Sequence, residues 1–308
     1  MARIPKNIDL PKIFFFLATV STTAIVFTML FFMIYIAYPV LAREGLGFVI
    51  GTEWSYTSHT YGIRNYILGT LWLTVTTLVL ALPIGIFTAI FLAEIAPKWL
   101  DNSLRGLIEL LVGIPSVVYG IFGFLLLENF FEYQINPFVS TVLGWIPLFH
   151  YEPNSGGKGI FLAAVILSVM VLPTIVTLSR EAIKSVPEAY REASYAIGAT
   201  RQETIFKTVL PAAAQGIITS VVLATMRAMG ETMAVVMLLG GTRSVPTSIF
   251  DKGTVMTTKI FGDIGYYISQ EEPRAALFGI AVVLFLIEMG FVASIRLISN
   301  HWKETANA

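Results

Sequence analysis

Glu192-Ala193-Ser194-Tyr195-Ala196-Ile197-Gly198, closed further along by Leu210-Pro211, is a polar, charge-mixed island between two long apolar segments. It reads as a short helix, a glycine stop and a second helix. Ser185-Val186-Pro187-Glu188 has the form of a capping box, in which the Ser185 hydroxyl accepts from the Glu188 amide while Glu188 reaches back. Pro187 suits the first helical turn, where its missing N–H would have had no partner. Gly198 can take the left-handed conformation that ends a helix. Thr200-Arg201-Gln202-Glu203 is a second capping box and restarts the chain. Between the caps, Val186, Tyr190, Ala193 and Ile197 recur at helical spacing, which predicts an apolar face opposite Glu188, Arg191 and Glu192.

The island resembles the EAA loop of permease subunits from binding-protein-dependent ABC transporters. Glu192, Ala193, Gly198, Leu210 and Pro211 fall in register with that pattern. Ser194 stands where a second Ala belongs, and Thr208 where an aliphatic residue belongs; both are small enough to keep the helix–turn–helix shape. The resemblance implies that this helix couples to a cleft on a cytoplasmic ATPase, through Glu188, Glu192, Ala193 and Gly198. Read from the residues alone, it is a capped amphipathic connector between membrane spans.

Composition sets the class. Hydrophobic residues make up 56% of the chain and charged residues 13%, against about 25% charged in soluble domains. The mean hydropathy is +0.75. These values predict a polytopic membrane protein embedded in a lipid bilayer. A net charge of +0 gives no sign of a nucleic-acid partner, and the absence of Cys removes disulfides and thiolate metal sites. His59, His150 and His301 are too scattered to suggest a metal centre, and no cofactor is expected.

Apolar runs near 13–40, 65–94, 104–128, 159–180, 209–240 and 275–298 each approach or exceed the ~20 residues a bilayer needs. The first run is longer than the apolar core of a signal peptide and reads as an uncleaved anchor. Basic residues are concentrated on one side of the resulting topology. Arg3, Lys6, Lys12, Lys98, Arg105, Arg180, Lys184, Arg191, Arg201, Lys207, Arg296 and Lys303 fall there, which predicts two cytoplasmic termini and a cytoplasmic island. Arg43, Arg64, Lys158, Arg243, Lys252, Lys259 and Arg274 fall on the other side. Long outer connections holding Trp54, Tyr56, Trp145 and Phe149 suit either docking of an external protein or placement at headgroup level.

Arg227 and Glu231 are the most expensive residues in the spans, because a mid-bilayer Arg costs about 2.5–3.5 kcal/mol on insertion scales. Four residues apart in a helix, they would share one face. A guanidinium is the preferred group for bidentate binding of a tetrahedral oxyanion. The alternative is an interhelical ion pair that locks the bundle, with Glu288 or Glu109 as a further counter-charge. In the third run, Gly113 and Pro115 predict a kink, and Ser116 and Gly120 form a small-xxx-small pair that lets helices approach. Pro83 and Gly85 in the second run predict a packing kink.

Leu110-Leu111-Val112-Gly113-Ile114-Pro115-Ser116-Val117-Val118-Tyr119-Gly120 resembles the third-span signature of phosphate transporter permeases, as does Arg227 to Val235. Val245-Pro246-Thr247-Ser248-Ile249-Phe250 resembles the PstC-type subunit more than its PstA-type partner. The resemblance implies an all-α integral membrane protein of six transmembrane helices, with a MetI-like ABC importer permease fold and a cytoplasmic coupling helix. It implies a phosphate importer in the cell membrane, built with a PstA-type permease subunit, two cytoplasmic ATPase subunits and an extracytoplasmic phosphate-binding protein. Arg227 and Glu231 then stand where the family's transport-critical charges stand. The expected division is 1–64 for the N-terminal tail, first helix and outer loop. Residues 65–300 form the transport core, with the coupling helix about 185–198, and 301–308 a cytoplasmic tail. Rival readings are a permease for sulfate, molybdate or phosphonate, and a channel or scaffold that is not coupled to ATP.

The chain itself is not expected to be an enzyme. Around Gly157-Lys158-Gly159, Glu152 and Gly159 stand where a P-loop needs Gly and Ser or Thr, so ATP hydrolysis falls to a partner.

Overall fold

The computed structural model describes residues 10–152, 156–242 and 244–306; Arg3, Lys6 and Arg243, used above for orientation, lie outside them. In chain order it has α1 (Leu10–Glu44), α2 (Leu46–Ile50), a hairpin of β1 (Trp54–Ser55) and β2 (Thr60–Tyr61), and α3 (Arg64–Ile90), which runs on as a π-turn over Phe91–Ile95. Then come α4 (Lys98–Gly113), α5 (Ser116–Phe122), α6 (Glu128–Phe130), α7 (Asn136–Leu143) and α8 (Ile160–Lys184). The connector holds α9 (Glu188–Ala196) and α10 (Arg201–Thr204). It is followed by α11 (Leu210–Gly230), α12 (Met233–Leu238), α13 (Met256–Tyr267) and α14 (Glu271–Ala306).

Among the described residues five helices are long and apolar enough to cross a membrane, and α4 with the run beginning at α5 adds a sixth crossing if that bent pair is one span. The fold is therefore the expected all-α membrane fold. The burial of the spans differs in a way that orders them. The apolar window of α8 is 67% buried and that of α1 only 11%, so α8 is the hub of this chain and α1 lies at its periphery.

Small residues let the hub's neighbours close on it, since apolar lipid supplies no hydrophobic drive between helices. A Cβ on Gly85 of α3 would lie 2.6 Å from the Ile175 Cγ2 of α8, and one on Gly216 of α11 would lie 2.3 Å from the Ala182 Cβ. Ser179 and Ser220 share a buried hydrogen bond of 2.7 Å between α8 and α11. On α3 the buried Thr70, Thr74 and Thr77 each donate to the carbonyl four residues back at 2.8 Å, so no hydroxyl is orphaned. Thr70 Oγ1 also accepts from the Met256 N–H at 3.0 Å and fixes the start of α13. Gly85 serves packing, as expected, and Pro83 lies inside a helix assigned without a break from Arg64 to Ile90.

Two expected spans are broken. The third is not one kinked helix: α4 and α5 meet at 90°. Ile114 is extended (φ −74°, ψ 124°) because Pro115 crowds the helical conformation of its predecessor and has no N–H to continue the ladder. The fifth stops at Gly230, where Glu231 turns extended (φ −68°, ψ 128°). The Glu231 Oε1 accepts the Ala234 N–H at 3.1 Å, which stabilises a new start at α12 over continuation of α11.

The outer aromatic residues divide. Trp54 is buried, edge-on to Tyr56, Tyr61 and Tyr66, and Tyr56 stacks on Tyr267 at 3.8 Å. The Lys259 Nζ sits 4.8 Å from the Trp54 ring centre and bonds Asp263 at 2.6 Å. Burial, and then the hydrogen bond to Asp263, pushes the Tyr56 phenol above its ordinary range. Trp54 and Tyr56 thus staple the hairpin to α13 and offer no docking face, whereas Trp145 is fully open.

Overpacking a filled contact costs about 1–3 kcal/mol, so Gly85→Val is expected to lower the melting temperature of the purified protein in detergent. Ile175→Ala in the same background should recover part of the loss. An unchanged melting temperature for Gly85→Val would refute the α3–α8 contact.

Candidate functional site

The site has two parts, a pair of helix breaks in the membrane region and the connector after α8. The breaks are brought together by packing. A Cβ on Gly120 of α5 would lie 2.9 Å from the Ala234 Cα of α12, so only glycine admits this approach. Each partner helix begins just after a break, at Pro115 and at Glu231-Thr232. Thr257 Oγ1 donates to the Glu231 carbonyl at 3.1 Å, and Thr232 Oγ1 to the Gly230 carbonyl at 3.3 Å. The carbonyls freed by the second break are therefore partly met by side chains.

Arg227 lies on the last turn of α11, partly exposed, with Nη1 3.5 Å from the Thr174 Oγ1 of α8. That is the outer limit of a hydrogen bond. Among the described residues no carboxylate pairs with it. The shared helical face expected for Arg227 and Glu231 is absent, because the helix ends between them and the Glu231 carboxylate caps α12. The expected counter-charges do not pair with Arg227 either. Glu109 pairs with Arg105 on its own helix at 2.8 Å, with both side chains exposed. Glu288 is half-buried in α14 and makes no ion pair among the described residues. Leu223, Met226, Met233 and Val236 around Arg227 are exposed in the single chain.

The connector is held by polar contacts. Arg191 of α9 reaches the Glu94 Oε1 at 2.7 Å and donates to the Val186 carbonyl at 2.8 Å and the Ile183 carbonyl at 3.2 Å. Arg201 bonds the Glu94 carbonyl. Ser194, the departure from the EAA pattern, is buried and shares a 2.9 Å hydrogen bond with Thr204 of α10, a contact Ala could not make. The Ala199 N–H meets the Ser194 carbonyl at 3.2 Å and the Gly198 N–H the Tyr195 carbonyl at 2.9 Å. This bond pair is a Schellman motif, with Gly198 at φ +84°.

Of the two capping boxes, the one at Thr200 is present in both directions. The one at Ser185 is not: α9 starts after Pro187, without a side-chain cap, and the Ser185 hydroxyl donates to the Ala182 carbonyl at 2.8 Å. Ser185 is the last residue of α8's helical path (φ −73°, ψ −13°), so its side chain serves the helix behind it. The predicted apolar face is divided: Val186 is buried against the ends of α3 and α8. Tyr190, Ala193 and Ile197 are exposed, Ile197 at 86%, while Arg191 and Ser194 face inward. Glu188 and Glu192 are exposed, and Glu188 stands 3.4 Å from Arg191.

Sequence reasoning missed the charges that seat this end of the molecule. Arg180 grips the buried Asp101 of α4 with two bonds, at 2.7 and 2.5 Å, and Lys184 adds a third at 2.6 Å. Arg180 closes the apolar run 159–180, where a basic residue reads as a flanking charge, and nothing in the spacing says that an acidic partner lies 79 residues away.

Residues 81–299 match the family described as "Binding-protein-dependent transport system inner membrane component". A probable ABC transporter permease protein YqgH of Bacillus subtilis is 37% identical over 258 residues, covering 83% of this chain and 78% of that protein. The phosphate transport system permease protein PstC of Xylella fastidiosa is 33% identical over 259 residues, covering 83% and 79%. A chain of a bacterial alginate ABC transporter, solved with an alginate pentasaccharide-bound periplasmic protein, superposes with a TM-score of 0.57 at 19% identity over 95% of each chain, a likeness of fold alone.

Removing one partner of a buried ion pair costs about 3–5 kcal/mol, because the other charge is left uncompensated. Asp101→Asn should therefore destabilise the protein by that order, whereas Glu109→Gln, at an exposed pair, should change stability by less than about 1 kcal/mol. Denaturant or thermal unfolding of both variants in detergent checks the contrast, and equal effects would contradict it.

Proposed function

This chain belongs to the family of binding-protein-dependent transport system inner membrane components, among the PstC-type permeases, and we propose that it forms half of the translocation pathway of an ATP-driven importer of inorganic phosphate. The observation that carries this reading is the uncommitted guanidinium of Arg227, beside the point where two broken helices meet. A tetrahedral oxyanion finds a planar cationic fork there, and interrupted backbone at membrane depth suits a lined pathway. The exposed apolar residues around Arg227 are the surface that a PstA-type partner permease covers, so that the pathway closes only in the heterodimer.

Two cytoplasmic ATPases supply the energy, and an extracytoplasmic phosphate-binding protein delivers the anion. Both termini are cytoplasmic, with 1–64 a peripheral anchor and loop, 65–300 the transport core and 301–308 the tail. Glu188, Glu192 and Ala193 on α9 meet the ATPase, and Gly198 shapes the turn behind them. Force on α9 passes through Arg191–Glu94 to the end of α3 and through Asp101–Arg180 to α4 and α8. The short segments α5 and α12 then shift relative to α11, which changes access to Arg227 between two states. Glu231 caps α12 and, as a nearby negative charge, limits how tightly the anion is held, so that it is released.

Two variant sets test this in the full complex reconstituted in vesicles. A hydrogen bond to a charged group is worth about 1.5–3 kcal/mol, so Arg227→Gln should cut phosphate uptake about 10- to 100-fold with normal assembly. Arg227→Lys keeps charge without the fork and should be intermediate. Glu231→Gln can still cap Ala234, and is expected to alter transport with the protein folded. Near-normal uptake by Arg227→Gln sinks the pathway role. Competition by arsenate but not sulfate supports phosphate as the substrate; competition by sulfate reassigns it.

For the connector, Gly198→Val places a β-branched residue at φ +84°, a conformation it strongly resists. Loss of ATPase copurification together with uptake is the expected outcome. Retention of both would remove the coupling role of this turn.

A further inference from the structure

Antiparallel α1 and α14 leave a crevice of about 550 Å³ between the last turns of the first and the first turn of the second. It lies at the end of the molecule opposite α9, bordered by Tyr35, Tyr38, Arg43, Glu271 and Arg274. Its charges are unequally committed. Arg43 is taken by Glu44 at 2.9 Å and by Glu272, and Glu272 also meets the His59 Nδ1 at 2.5 Å. Arg274 makes no ion pair among the described residues, and its Nε is fully buried without a hydrogen-bond partner. Glu271, three residues earlier and so on the same face, is exposed and likewise makes no ion pair among them. The crevice thus presents one free cation and one free anion side by side. Arg274 also sits in the first turn of α14, where the helix dipole favours an anion.

About two turns deeper, between α1, α13 and α14, lies a groove of about 350 Å³ with only apolar residues around it, among them Met29, Phe32, Ile260, Leu277 and Phe278. At 1.5 Å per residue its centre is about 10 Å along the helices from that of the crevice. Phe31, Tyr35 and Tyr38 point outward beside it, as aromatic residues do at a membrane surface. We propose that the crevice and groove hold one zwitterionic phospholipid, with its phosphate on Arg274, its primary ammonium at Glu271 and an acyl chain along the apolar groove. A free phosphate would satisfy Arg274 and would leave Glu271 repelling it and the groove empty. An anionic headgroup without an amine has the same fault at Glu271. This inference requires only that α1 and α14 span the membrane, and it is independent of what the protein transports.

The test uses the assembled complex in detergent, incubated with equal amounts of phosphatidylethanolamine, phosphatidylglycerol and phosphatidylcholine of identical chains. Retained lipid is counted by native mass spectrometry. The wild type should retain phosphatidylethanolamine about tenfold over the others, and Arg274→Gln should lose about tenfold of it. Arg274→Lys should keep part, and Glu271→Gln should erase the preference over phosphatidylglycerol while lipid is still bound. Inorganic phosphate in millimolar excess should displace nothing. Equal retention of the three lipids by the wild type overturns the proposal, as does unchanged retention by Arg274→Gln. Displacement by inorganic phosphate assigns the crevice to the free anion and overturns it too. If Arg274→Gln does not assemble, the exposed Glu271→Gln decides: an unaltered lipid preference sinks the assignment.

Discussion

In hydrocarbon a backbone N–H or C=O without a partner costs several kcal/mol, and the architecture of this protein follows from where it breaks that rule. Most of its length obeys, in long unbroken helices whose threonines donate back to their own carbonyls. It departs most sharply at Ile114-Pro115, which is exposed in the single chain, and at Glu231-Thr232, which is half-buried. Pro115 has no N–H to orphan, and the Glu231 carboxylate takes an amide at the second break. Milder departures are the π-turns, such as Phe91–Ile95 and Gly123–Leu127, so the two full breaks stand out at the place where α5 and α12 touch.

The opposite end of the bundle is built on a different interaction. There the helices are joined by buried charges, Arg180 and Lys184 on Asp101, and Arg191 on Glu94. Such pairs contribute little net stability against a well-packed apolar alternative, but they tolerate only one geometry. The connector is seated on apolar packing as well, with Val186, Ile205 and Val209 buried against Ala89 and Ile183, so the directional bonds add geometry to a contact that packing already holds.

How far the chain could be read before its structure follows from the range of each signal. Gly198 and the Thr200–Glu203 box were legible because their partners lie within four residues, and the apolar runs because hydropathy is a local average. The Ser185 box failed because a hydroxyl near a helix end has two local choices, and the carbonyl of Ala182 won. Arg227 and Glu231 were legible as costly charges but not as neighbours across a break, since spacing rules assume an unbroken helix. Glu109 and Glu288 could be named as carboxylates in spans but not matched, and Asp101 and Glu94 went unnoticed. Glu109 pairs within its own helix, at the i,i+4 spacing of Arg105, whereas the partners of Asp101 and Glu94 depend on tertiary register, which one sequence does not carry. The spacing of α9 showed an apolar stripe but not which side of the helix meets the bundle, because Arg191 and Ser194 find their partners 97 and 10 residues away.

The exposure of α9 bears on how the lone chain behaves in water. Tyr190, Tyr195 and Ile197 stand open beside the exposed carboxylates of Glu188 and Glu192. Large apolar side chains clustered on a surface favour self-association, and a net negative rim of carboxylates opposes it by repulsion, so the same short helix carries both the tendency of the single chain to stick and the charge that restrains it.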